Sequence, residues 1–125
     1  MTTRRNFILG ASALALAPRA GRAQADWPNK PIRMLVPYAA GGGQDTTARL
    51  LSEPLRAALG QNIIVENRVG AAGMIAAAAL AKSPPDGYTL MLGGGGETAA
   101  NGALFRSKIT YDPVKDLLPI HVADQ

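Results

Sequence analysis

Two runs of glycine stand where the chain changes from an apolar stretch to helical periodicity. The first lies in "VPYAAGGGQDTTARLL", Val36 to Leu51, and the second in "LMLGGGGETAANGALF", Leu90 to Phe105. The start of a helix carries N–H groups without intrahelical partners and a partial positive charge. Glycines before it remove side chains that would block an approaching anion. A carboxylate or phosphate can sit there without any charged side chain. Gly41, Gly42 and Gly43 in the first run and residues 93–96 in the second are therefore candidate anion seats. The plain alternative for 41–43 is a tight strand-to-helix turn, and the pattern alone does not decide between them. Thr46, Thr47 and Thr98 place hydroxyls at the helix starts, able to cap a helix or to donate to a ligand. Asp45 can touch a ligand, but an acid in a first turn more often serves the helix dipole.

Other chemistry is thin. His121 is the single histidine, set in an apolar run, and reads as a packed or surface residue rather than a base. There is no G-x-S-x-G elbow and no His/Asp/Glu cluster at metal spacing. The chain has no cysteine, hence no disulfide and no thiolate metal site. Gly41-x-Gly43 with Glu66 at the end of the next strand echoes a dinucleotide fingerprint, but Thr46 stands at its third glycine. A phosphate-binding P-loop fits worse, since no Lys-Ser/Thr pair follows the glycines.

The elements that must position these loops alternate. Ile32 to Val36 reads as a first strand. Thr46 to Leu59 reads as a helix with Ala48, Leu51, Leu55 and Leu59 on one stripe, kinked or weakened at Pro54 and closed by Gly60. Asn62 to Glu66 is a second strand, Met74 to Lys82 a helix, and Tyr88 to Leu92 a third strand after the turn Ser83–Gly87. A helix from Glu97 to about Phe105 follows, then a turn at Tyr111-Asp112-Pro113 and a possible fourth strand over Ile120 to Ala123. Such alternation predicts an α/β fold with a parallel sheet covered on both faces. Ligands of such sheets bind at the carboxyl ends of the strands, where both glycine runs fall.

The first 25 residues have the layout of an export signal. Arg4 and Arg5 precede a short apolar stretch, Phe7 to Ala17, and Ala23-Gln24-Ala25 is an A-x-A cleavage triplet. The apolar part is shorter than the about 20 residues that span a bilayer. Thr3-Arg4-Arg5-Asn6-Phe7-Ile8-Leu9 resembles the twin-arginine address. Residues 1–25 hold four of the thirteen basic residues and no acid, which leaves nine of each sign from Asp26 onward. The positive charge belongs to the leader and gives no argument for nucleic-acid binding. The division expected is therefore a signal peptide over 1–25 and a partial α/β ligand-binding lobe over 26–125.

Four segments together carry a resemblance: "WPNKPIRMLVPYAAGGGQDTTARLL", "LGQNIIVENRVGAAG", "AKSPPDGYTLMLGGGGETAANGALF" and "YDPVKDLLPI". In order and spacing, from Trp27 to Ile120, they resemble the substrate-binding receptors of tripartite tricarboxylate transporters, the Bug-type family. The resemblance implies a two-lobed, periplasmic binding-protein-like fold with a cleft between α/β lobes, here covering part of the first lobe. It implies a receptor and not an enzyme, monomeric and without cofactor or metal, that binds a small carboxylate and presents it to a membrane permease. It implies ligand contacts from Tyr38, Ala39, Gly41, Gly42, Gly43, Asp45 and Thr46 in the first loop. In the second loop it implies Gly94, Gly95, Thr98 and Asn101, through backbone amides, hydroxyls and bridging waters. The chain departs from the pattern at Val69 for proline, Met74 for asparagine, and 93–96, which carry glycine where hydroxyl residues are usual. Family members run to more than twice this length. Two other readings stand beside it: a fragment of an exported dinucleotide-binding oxidoreductase, and a truncated chain with no activity of its own.

Overall fold

The computed structural model describes residues 27–122; the leader and Ala123 of the predicted fourth strand lie outside that range. Three parallel strands form the sheet: β1 (Ile32–Val36), β2 (Ile63–Asn67) and β3 (Thr89–Met91), in the order β2-β1-β3. Ile32 pairs with Ile63 and Val36 with Asn67 on one side, and Arg33 pairs with Thr89 and Leu35 with Met91 on the other. Because the strands are parallel, the loops that follow all three leave from one edge.

Strand alternation sends successive side chains of β1 to opposite faces. Met34 and Val36 pack with Ala48 of α1 (Gly43–Leu59), joined by Leu55, Ile63, Val65 and Leu92. The opposite face is covered by α2 (Met74–Ala81), whose Ala77 packs with Tyr111 and Leu117 and with Met91. The predicted two-sided parallel sheet is thus present. β1, central and flanked on both sides, carries the most buried side chains, with Ile32, Leu35 and Val36 almost wholly covered.

Three local expectations change, and Pro54 takes its place without ending its helix. α1 begins at Gly43 rather than Thr46, because the Gly42 carbonyl already accepts the Thr46 N–H at 2.9 Å and makes Gly42 the cap. Pro54 does not break α1, which runs through it as one helix. The pyrrolidine lies on the exposed side, where water can serve the carbonyl that loses its N–H partner. The predicted helix after β3 divides into a wide π-turn (Gly96–Ala100) and a short α3 (Asn101–Leu104). In the wide turn the Asn101 N–H reaches back to the Gly96 carbonyl, and the Tyr111 hydroxyl donates to the Glu97 carbonyl at 2.9 Å. Finally, residues 120–122 form no strand: Ile120 and Val122 stay exposed, and no described strand pairs beyond β3.

Candidate functional site

The first loop, 37–42, is held by Asp45. Gly41 adopts φ +83°, a left-handed conformation that glycine takes without a steric penalty, and its N–H donates to Asp45 Oδ2 at 2.8 Å. Arg49 Nε donates to the same oxygen at 3.0 Å, and Asn67 Nδ2 donates to Oδ1 at 3.0 Å. Asn67 also donates to the Tyr38 carbonyl at 3.0 Å, so the end of β2 clasps the first loop. Asp45 is only 3% exposed, and hydrogen bonding outweighs desolvation. The Arg49 hydrogen bond first, then the Gly41 N–H and Asn67, hold its carboxyl down to about 2. Asp45 does stand in the first turn, but its oxygens are engaged by loop, helix and strand.

The helix-start hydroxyls do not cap. Thr46 Oγ1 donates back to the Gly42 carbonyl at 3.1 Å, Thr47 Oγ1 to Gly43 at 2.9 Å, and Thr98 Oγ1 to Gly94 at 3.1 Å. Each threonine lies past the cap position and inside a turn, where the nearest acceptor is the carbonyl four residues back. Neither the α1 start nor the π-turn start has a side-chain cap.

The second loop, 92–95, is organised by Glu97, which sequence reasoning placed only as a helix start. Its side chain is fully buried. Oε1 accepts from the Tyr38 hydroxyl and Oε2 from the Gly94 N–H, both at 2.7 Å. That hydrogen bond to Glu97, then burial and the nearby negative charge, hold the Tyr38 phenol above its usual range. Gly73, after β2, packs directly on the Glu97 side chain, so that a Cβ there would overlap it. One acid therefore touches all three loops. Asn101, also buried, donates through Nδ2 to the Ala72 carbonyl at 2.8 Å and fastens α3 to the same loop. The signal that could have revealed Glu97 is an acid directly after four glycines at a strand end; Asn67 stands at the corresponding end of β2.

Two hollows open on this edge and share Gln44. One, of about 550 Å³, is lined by Tyr38, Ala39, Gly42, Gly43 and Gln44. The other, of about 480 Å³, runs from Gln44 and Thr47 past Gly93, Gly94, Gly95 and Thr98. Met91, Leu92, Pro119, His121 and Val122 complete its wall. Gln44 Oε1 is buried without a hydrogen-bond partner, the one such side-chain atom among the described residues. The predicted residues thus gather at one edge, and Gln44 is a further member that the sequence reading missed. A Cβ on Gly43 would meet nothing within 4 Å, so that position faces open space. His121 is exposed and lies on the rim.

The dinucleotide reading loses its acid. Glu66 accepts from Arg33 Nη2 at 2.6 Å and pairs with Arg68 at 2.7 Å, and these partners, Arg33 first, lower its carboxyl. A carboxylate so engaged is not free to hold a ribose. Among the described residues, no group of three or more His, Cys, Asp and Glu side chains is placed to hold a metal.

Comparison with known proteins gives one consistent family. Residues 47–124 match the family described as tripartite tricarboxylate transporter family receptor. A UPF0065 protein of Bordetella bronchiseptica is 46% identical over 116 residues, covering 93% of this chain and 34% of that protein. Among solved structures, MatC of Rhodopseudomonas palustris with bound malate is 43% identical with a TM-score of 0.67, covering 72% of this chain and 30% of that one. An R. palustris protein with adipate is 40% identical with a TM-score of 0.66, covering 71% of this chain and 29% of that one. The chain therefore spans about a third of the length of the relatives it matches.

Proposed function

Because the chain belongs to the tripartite tricarboxylate transporter receptor family, we propose that it forms the ligand-facing edge of the first lobe of a periplasmic receptor for a small carboxylate. The receptor delivers that carboxylate to a membrane permease and carries out no chemistry on it. The observation that carries the reading is the start of α1. It has no side-chain cap, opens beside Gly43 onto a hollow, and lies next to the unpaired Gln44 Oε1. Uncapped N–H groups at a helix start suit a carboxylate. A buried acceptor without a donor suits a ligand hydroxyl or ammonium. Malate and adipate, the ligands of the two solved relatives, are both carboxylates.

In this reading Ala39, Gly42, Gly43, Thr46, Gly95 and Thr98 meet the ligand directly or through water. Tyr38, Gly41, Asp45, Gly94 and Asn101 hold the loops in place. The protein acts as a monomer, exported by the leader 1–25 and cleaved after Ala25.

Gly43→Val in the full-length receptor tests the site. The substituent meets no protein atom within 4 Å of its Cβ, so it fills the hollow and not the core. Displacing one charge-assisted hydrogen bond costs about 1.5–3 kcal/mol, a loss of about 10- to 100-fold in affinity. Calorimetry with a carboxylate panel reads the loss, and a thermal melt should show the fold retained. Unchanged affinity would reduce the glycine run to a turn.

A further inference from the structure

Glu97 is the most deeply buried acid of the described residues, and it lies directly behind the second glycine loop. Its Oε2 takes the Gly94 N–H, and its Oε1 takes the Tyr38 hydroxyl. Those donors come from two different loops on the ligand-facing edge. Both carboxyl oxygens are thus engaged by the protein. The side chain cannot easily swing away. Gly73 packs against it, and the Tyr111 hydroxyl holds the Glu97 carbonyl.

We propose that Glu97 is a built-in stand-in for a ligand acid: it fills the anion seat of the second glycine loop and selects ligands with a single carboxylate and a neutral remainder. This rests on the carboxylate-receptor reading above and names the ligand class within it. The ligand's one acid lies at the start of α1. Its remainder runs toward Met91 and Leu92, beside Pro119 and Val122, a wall suited to CH₂ groups. A second ligand acid in that hollow would lie beside Gly94, whose N–H Glu97 already holds from behind, with no described cation to offset the two charges. Among the described residues Glu97 belongs to no ion pair, and no Lys or Arg lines either hollow. Like charges confined together in a site of low polarity disfavour one another strongly. The glycines at 93–96 fit the same account, since a seat already filled from within needs no hydroxyls to hold a ligand oxygen.

The experiment titrates the full-length receptor with two matched pairs: hexanoate against adipate, and 2-hydroxybutyrate against malate. Calorimetry at one pH reads both pairs under the same conditions. In at least one pair the monocarboxylate should bind about tenfold or more tighter than its diacid. Glu97→Gln keeps the shape and an acceptor but removes the charge, and should narrow that ratio by about tenfold. A wild-type receptor that takes the diacids as well or better overturns the inference and leaves the carboxylate reading intact. So does a folded Glu97→Gln protein with an unchanged ratio. Binding of none of the four compounds, nor of any acid in the wider panel, overturns the carboxylate reading itself. If Glu97→Gln does not fold, the wild-type ratios still decide.

Discussion

Asp45 shows how a single side chain can fix the loop in front of a helix. Its carboxylate ties Gly41, Arg49 and Asn67 together, which fixes the loop in front of α1. The folded chain ionises Asp45 at about 2, below the ordinary 3.8, so folding favours the charged form. The stabilisation is complete above about pH 4 and is lost as the pH falls through about 2. Asp45→Asn should lower the thermal midpoint at neutral pH and flatten this acid limb. Urea melts of both proteins at pH 7, 4 and 2.5 would measure it, and parallel acid limbs would refute the clasp. At this scale the sequence was partly legible. Glycine announces itself, because few other residues tolerate φ +83° at Gly41. Glu97, Asn67 and Gln44 did not, because their roles depend on loops that come together only when β2, β1 and β3 align. The acid after four glycines was a local sign of Glu97, but nothing local marks its other partner, Tyr38, 59 residues earlier.

The elements themselves were easier to read than their ends. Strand alternation and the Ala48-to-Leu59 stripe follow from local periodicity, and β1 occupies the predicted residues. The misjudged features were set by solvent or by tertiary contact. Pro54 does not end α1, because an exposed proline leaves the carbonyl of Leu50 open to water. It still costs the helix a hydrogen bond. Pro54→Ala should therefore stabilise the fold by about 1–3 kcal/mol, seen as a higher urea midpoint with an unchanged slope. The split between the π-turn and α3 was not visible in the sequence, because the Tyr111 hydroxyl takes the Glu97 carbonyl only after the segment beyond α3 has folded back. Asn101 secures the same junction from the other side by donating to Ala72, in a loop where Ala71 and Ala72 both have positive φ. Asn101→Ala should loosen it at a cost of about 1–2 kcal/mol, and faster amide exchange over 96–105 would locate the change. A midpoint unaffected by the substitution would mean that water replaces the bond.

At the scale of the molecule, the described residues form a sheet whose middle strand is satisfied and whose two outer strands are not. β2 and β3 each have β1 on one side and no described strand on the other. Beyond the core, Val114, Leu118, Ile120 and Val122 are exposed, an apolar strip along the last described segment. Both features favour association with other strands or apolar surfaces. The relatives are about three times longer, as their 34% coverage requires. A cleft between lobes removes water from a ligand on all sides, whereas a loop edge facing solvent only exchanges water contacts for amide contacts. Residues 26–125 expressed alone should therefore melt broadly, associate at higher concentration, and show no binding at micromolar carboxylate. Light scattering, a thermal scan and calorimetry would measure these three properties. Replacing Leu118 and Ile120 with serine should reduce association without restoring binding, because those side chains are exposed and line neither hollow at the loop edge. A sharp, cooperative melt whose midpoint rises with added carboxylate would contradict the argument: the edge of the first lobe would then be a competent binding module, and closure of a cleft would add selectivity rather than affinity.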